Sequence, residues 1–133
     1  MRNLIYTINT LNNAVLLKKF KVVLTNFNIL TLNILVMFQK LNIIDSFLIN
    51  DTSTLCTIYL SATNNFNFFQ KIVCISKPNK YIYYQLTDLV KLRSIDLYND
   101  YILSINNSNH TIINIDEAIR LHTGGLLLLK IIY

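Results

Sequence analysis

The chain has 133 residues and a mass of 15.5 kDa, with 53% hydrophobic and 14% charged residues. A chain of this length is one domain or two very small ones, and it can bury roughly 68% of its unfolded surface, which excludes a disulfide scaffold and a disordered polymer. Twelve Lys and Arg against seven Asp and Glu give a net charge of +5, a modest basic bias that points to an anionic partner rather than a polybasic tail.

Leu4, Ile5, Ile8, Leu11 and Val15 recur at helical spacing, with Asn9, Asn12 and Asn13 on the other side, and predict a short amphipathic helix. Lys18, Lys19 and Lys21 follow and lead into Val22-Val23-Leu24, a short strand. Asn28 caps a second helix whose buried stripe is Leu30, Ile34, Leu35, Phe38 and Leu41. Strands over 43–49 and 55–60 flank the turn cluster Asn50-Asp51-Thr52-Ser53, and the polar stretch 61–65 marks the best domain boundary.

The second half reads mainly as β. Strands are expected over 71–76 and 81–84 around the turn Lys77-Pro78-Asn79-Lys80, then a short helix over 88–93 opened by Thr87. Strands over 101–105 and 111–115 enclose an Asn/Ser-rich turn, a helix covers 116–121, and Gly124-Gly125 admits a last strand over 126–133.

Enzyme signatures are absent: with two glycines the chain cannot build a phosphate-cradling glycine loop, and it carries no nucleophile elbow or paired-histidine zinc motif. Cys56 and Cys74 stand apart in apolar runs and read as buried thiols, and His110 and His122 are isolated, so no metal or cofactor is expected. Asp116 and Glu117 stand where negative charge suits the positive end of a helix dipole.

Two segments can meet an anionic polymer. Asn106-Asn107-Ser108-Asn109-His110-Thr111 is either a plain hairpin turn or a hydrogen-bonding loop for the base edges and 2′-hydroxyls of a folded RNA, and the two are compatible. Lys77-Pro78-Asn79-Lys80-Tyr81, with Tyr83 and Tyr84, offers two lysines beside tyrosines that can stack on bases, while strand alternation buries at least one of the tyrosines.

The longest apolar stretches, 22–38 and 126–129, are interrupted too early to span a membrane. The N-terminus resembles neither a signal nor a transit peptide. The 20 Ile and 18 Asn suggest an A+T-rich, organellar genome.

The order of elements and the C-terminal motifs resemble the family of protein eight of the bacterial-type small ribosomal subunit. Ile75-Ser76-Lys77-Pro78-Asn79-Lys80-Tyr81-Ile82-Tyr83 resembles the family's V-S-[RK]-P-G-x-R-x-Y segment. Asp116-Glu117-Ala118-Ile119-Arg120, followed by Gly124-Gly125, resembles its D-[RK]-E-A-R and G-G-E-[IV] ending. In the first half, Ile8-Asn9-Thr10-Leu11-Asn12-Asn13-Ala14 and Ile43-Ile44-Asp45-Ser46-Phe47 resemble L-T-R-I-R-N-A and F-I-x-D-F. Thr10, Asn12, Asn79, Thr111 and Leu126 depart from the pattern at its arginines, its two loop glycines and its glutamate.

Reading back from the C-terminal ending sets Asn107-Ser108-Asn109-His110-Thr111 on the family's S-T-S-x-G rRNA-contact loop, with a few extra residues between Arg93 and Asp100; another register starts the loop at Ser104-Ile105-Asn106.

The resemblance implies an α/β (α+β) chain of two small packed halves, an N-terminal α-β-α-β-β half over 1–63 and a C-terminal mainly β half over 64–133. It further implies a non-catalytic constituent of the small ribosomal subunit that binds the central domain of small-subunit rRNA, supports assembly and meets neighbouring ribosomal proteins. Its phosphate contacts would be Lys18, Lys19, Lys21, Lys77 and Lys80, and its further RNA contacts Asn28, Asn79, Ser104, Asn106, Asn107, Ser108, Asn109, His110 and Thr111. The expected location is the mitochondrial ribosome, with the protein encoded in the organelle; a plastid is the second choice. The competing reading is a small organellar structural protein that packs on proteins or a membrane face without touching RNA.

Overall fold

A computed structural model of the chain describes residues 2–52, 54–60, 69–105 and 111–133. The chain divides into two compact units, residues 1–70 and 71–133.

The first unit opens with α1 (Arg2–Leu16), whose buried side is Leu4, Thr7, Ile8, Leu11 and Ala14. Ile5 and Val15 of the predicted stripe are only half-buried, and Thr7 replaces them inside because its hydroxyl donates to Asn3 O at 2.8 Å, which satisfies the buried polar atom. β1 (Lys21–Leu24) buries Val22 and Leu24 and leads to α2 (Ile29–Lys40). Asn28 caps α2 as expected, its side-chain oxygen accepting from both the N–H and the hydroxyl of Thr31 at 2.9 Å. That draws Thr31 inside with Ile34, Leu35, Met37 and Phe38, while Leu30 and Leu41 are half-buried.

β2 (Ile44–Ile49) and β3 (Cys56–Leu60) form an antiparallel hairpin, its turn tied by Asn50 Oδ1 accepting from the N–H groups of Thr54 and Leu55. The sheet order is β1–β3–β2, so β3 is central and its alternate residues Cys56, Ile58 and Leu60 are buried.

The second unit is an antiparallel sheet built on β8 (Gly125–Ile132). β6 (Asp100–Ser104) pairs along one edge of β8 and carries β7 (Ile112–Asn114) beyond it. The other edge is shared: β4 (Lys71–Cys74) takes the stretch from Leu129 to Ile132, and β5 (Tyr83–Tyr84) takes Gly125 and Leu126. α3 (Leu86–Ile95) and α4 (Ile115–Arg120) cover one face, burying Leu89, Tyr101, Leu103, Ile113, Ile115, Ala118 and Leu127 together.

The strands expected over 71–76 and 81–84 are shorter, Lys71–Cys74 and Tyr83–Tyr84, because the chain leaves the β8 edge between them, and two helix starts also differ from the pattern reading. α3 begins before Thr87 because Asp88 reaches back to the N–H of Gln85 at 3.2 Å, which moves the start to Leu86. β7 passes into α4 without a loop because Asn114 Oδ1 accepts from Glu117 N at 2.9 Å, making Ile115 the first helical residue rather than the last of a strand.

Candidate nucleic-acid interface

The interface is built from the way β8 is shared. β4 leaves it after Cys74, where the N–H groups of Ile75 and Ser76 both reach Leu128 O, at 2.8 and 3.4 Å. The chain returns to the same edge at Ile82, whose carbonyl accepts from Leu127 N at 2.9 Å. The residues between are thrown outward as a turn in which Lys77 and Lys80 exchange both backbone hydrogen bonds at 2.9 Å. Ser76, 1% exposed, sits at its root, its hydroxyl donating to Leu127 O and accepting from Ile82 N at 3.1 Å.

Lys77, Asn79 and Lys80 are therefore exposed, and so are Tyr81 at 53% and Tyr83 at 64%. Tyr84 turns the other way onto the helix-covered core, as strand alternation requires. Leu126 of β8 lies between Tyr83 on one side and Ser104 on the other. Ser104 ends β6 and is buried, and the hairpin is closed beyond it by Ile105 N donating to Thr111 O at 2.8 Å.

Gly124 and Gly125 lie against this region. A Cβ on Gly124 would run into Tyr84 O and stand 2.9 Å from Gln85 Cα, and one on Gly125 would stand 2.7 Å from Ser104 O. Both glycines are thus needed for close backbone approach, which brings the stem of the β6–β7 hairpin and the Tyr83 strand to one end of the sheet.

Among the RNA contacts expected from the sequence, Lys77, Asn79, Lys80, Ser104 and Thr111 come together in this unit, with Ser104 buried and Thr111 exposed. Asn106, Asn107, Ser108, Asn109 and His110 lie outside the described residues. Lys18, Lys19, Lys21 and Asn28 belong to the first unit. There Lys19 and Lys21 line a groove of about 560 Å³ between α1 and β1, with Thr10 and Asn13 on its other wall, and Lys21 Nζ lies 5.9 Å from the centre of the Tyr59 ring. Asn28 is exposed and serves as the α2 cap.

The opposite end of the second sheet is organised differently. The Asp96 carboxylate accepts from Tyr101 OH at 2.9 Å and from the Asn99 backbone and side chain, with Lys130 Nζ at 3.5 Å. Burial alone would raise the Asp96 carboxyl, but the bonds from Tyr101 and Asn99 and the Lys130 charge outweigh it and hold it down at about 2. Tyr101 is pushed up to about 12, first by burial and then by the Asp96 hydrogen bond and charge. Arg93 bridges Asn99 O and Asp116, both at 2.8 Å, and Tyr133 OH donates to Asp100 at 2.9 Å.

Asp116 is thereby an ion-pair partner at the start of α4, in keeping with its structural reading. Cys56 is buried as expected, whereas Cys74 is only half-buried, at the end of β4; burial raises both thiols, and the Lys77 charge partly opposes this at Cys74. Among the described residues no group of His, Cys, Asp and Glu could hold a metal ion, and no helix is long and apolar enough to cross a membrane.

The residue that pattern reading passed over is Ser76. The available signal was a lone hydroxyl closing an apolar strand immediately before Lys77-Pro78.

The protein-family model described as Ribosomal protein S8 matches residues 4–132. No match is found among curated proteins.

Proposed function

The chain belongs to the ribosomal protein S8 family, whose members are structural, non-enzymatic proteins of the small ribosomal subunit, and from that premise we propose how this one engages RNA. It binds the central domain of small-subunit rRNA and supports assembly of the subunit. Lys77 and Lys80, with Lys18, Lys19 and Lys21 of the first unit, neutralise phosphates. The segment 106–111 supplies short polar side chains to base edges and 2′-hydroxyls, and the exposed Tyr81 and Tyr83 offer faces for unstacked bases.

The observation that carries this reading is the convergence at one end of β8. The stem of the 106–110 segment, the glycine pair and the Tyr83 strand are fixed to that strand by backbone pairing, and the Lys77–Lys80 turn is rooted on it through Ile75, Ser76 and Ile82 on either side. Their polar side chains are exposed, apart from the buried hydroxyls of Ser76 and Ser104 and the half-buried Tyr84. The lysine-rich corner of the first unit also exposes Leu16, Leu17 and Phe20, a mixture that supports a contact with a neighbouring ribosomal protein. The Asn- and Ile-rich composition supports an organellar, mitochondrial setting.

The test is filter binding of the full chain to a transcript of the rRNA central domain across a salt series. About five phosphate contacts predict a log–log slope near 4. A slope near zero, or no preference for this transcript over an unrelated RNA of equal length, would return the chain to a role that packs on proteins without RNA.

A further inference from the structure

We propose that Ser76 is a positioning residue for RNA binding, its buried hydroxyl setting the direction in which Lys77 and Lys80 leave the sheet; the assignment rests on the RNA-binding reading above. The edge of β8 changes partner at this point, from β4 to the chain returning at Ile82. An antiparallel ladder cannot change strands without leaving backbone groups over. Leu128 O already takes two donors, from Ile75 and Ser76, and Leu127 O and Ile82 N are not bonded to each other directly.

The Ser76 hydroxyl fills the gap. It donates to Leu127 O and accepts from Ile82 N, while Leu127 N donates to Ile82 O, so strand, hydroxyl and returning chain form a closed ring of hydrogen bonds. A hydroxyl is tolerated at 1% exposure because its proton and a lone pair are both used.

The geometry of the turn follows from this ring. Lys77 is the next residue after Ser76, and its N–H and C=O pair with the C=O and N–H of Lys80. Residues that exchange both bonds lie opposite each other, so the two lysine side chains leave the turn on the same side. Among the described residues, nothing from β4 or β8 is hydrogen-bonded to the 77–80 turn through backbone groups, so its orientation depends on the root. In an alanine variant packing is kept, but the Leu127 carbonyl and the Ile82 amide lose their shared partner and the turn swings about its root.

The test compares wild type, Ser76→Ala, Lys77→Gln/Lys80→Gln and the triple variant of the full chain, binding the same central-domain transcript over a salt series. Ser76→Ala is expected to lower affinity about 5- to 10-fold at low salt and to reduce the salt slope by up to about 1.8, the value for two phosphate contacts. The triple variant should bind no more weakly than Lys77→Gln/Lys80→Gln, because a hydroxyl that acts through the two lysines has nothing left to position. Additive losses, or a Ser76→Ala protein with wild-type affinity and slope, would overturn the assignment.

Hydrogen exchange of the same proteins separates positioning from general unfolding. The Ile82 and Lys80 amides should exchange faster in Ser76→Ala, with Leu103 and Ile113 unchanged; acceleration of all four to a common rate would overturn the proposal. Should Ser76→Ala fail to fold, Ser76→Cys puts a larger atom and a weaker donor in the same place and is read in the same cycle. A wild-type chain that binds no transcript at all would defeat the RNA reading itself, whereas wild-type binding with additive variants defeats only the role of Ser76.

Discussion

The two ends of the second unit's sheet use polar residues in opposite ways. At the Asp100 end of β6, side chains satisfy one another: Asp96, Asn99, Tyr101 and Lys130 form one network, and Arg93, Asp116, Asp100 and Tyr133 extend it. At the Ser104 end, backbone pairing and the Ser76 hydroxyl hold the chain, and the lysines and two tyrosines are left facing outward. The first arrangement stabilises the fold, and the second leaves the side chains that the proposed function assigns to RNA on the surface. A polar side chain that is already matched inside the protein has little left to offer an RNA.

That division can be broken most sharply at Gly124. Gly124→Ala places a methyl against the backbone of Tyr84 and Gln85, neither of which can yield as a flexible side chain would, and should cost about 3 kcal/mol in urea unfolding. Because it separates the elements at the presenting end, it should weaken RNA binding as well.

Asp96→Asn tests the opposite end and should cost about 2 kcal/mol by removing charge-assisted acceptors, while leaving RNA affinity and its salt slope as in wild type. Its pH signature has a definite sign. The folded carboxyl is held at about 2, below its ordinary value near 4, so its contribution is complete above pH ~4 and is lost as pH falls from ~4 to ~2. Wild type should therefore lose at most about 2 kcal/mol more than Asp96→Asn across that window. Equal acid sensitivity would show that the network contributes nothing through charge.

Ser108→Ala together with Asn109→Ala should reduce RNA affinity by about 1.5 kcal/mol, roughly tenfold, with the unfolding midpoint unchanged. Full affinity in that protein would make the 106–110 segment a turn and nothing more.

The smallest expected effects lie at helix ends. Lys18, Asn42 and His122 all adopt positive φ, between 54 and 60°, each immediately after the C-terminal turn of a helix. Each end carries paired closing bonds, such as His122 N to Ile119 O and Thr123 N to Ala118 O. Lys18→Gly and His122→Gly should stabilise the chain by about 0.5 to 1 kcal/mol, and Asn42→Gly by less, because asparagine tolerates this conformation best. Thermal unfolding resolves such differences.

Much of this architecture was legible from local pattern. The stripe Ile34, Leu35 and Phe38, the Asn28 cap and the turn at Asn50 each depend on residues within a few positions, and each is found as expected. Boundaries failed where a side chain reached across a junction, as Asp88 does to Gln85 and Asn114 to Glu117, because two valid starts compete and only the bond decides. Thr7 and Thr31 were unreadable as core for the same reason: a hydroxyl is buried only when a backbone carbonyl or a cap oxygen takes its proton.

The candidate site was legible as segments but not as a place. Lysines around a proline turn and a polar run between strands are visible in one dimension. That β8 joins them through opposite edges is a fact of long-range pairing, with Tyr83 and Ser104 meeting the same Leu126. Ser76 escaped notice because its partners are 6 and 51 positions away.

The glycines lead to one more consequence. The chain retains two, and both stand where an added carbon would collide with backbone. The three helix ends where glycine is merely favourable hold lysine, asparagine and histidine instead. The two glycines thus stand where a side chain would strike backbone, while helix ends at which a side chain costs only about 1 kcal/mol carry one. In a chain this poor in glycine, the two positions that hold it mark the contacts that a designer of this fold should not touch.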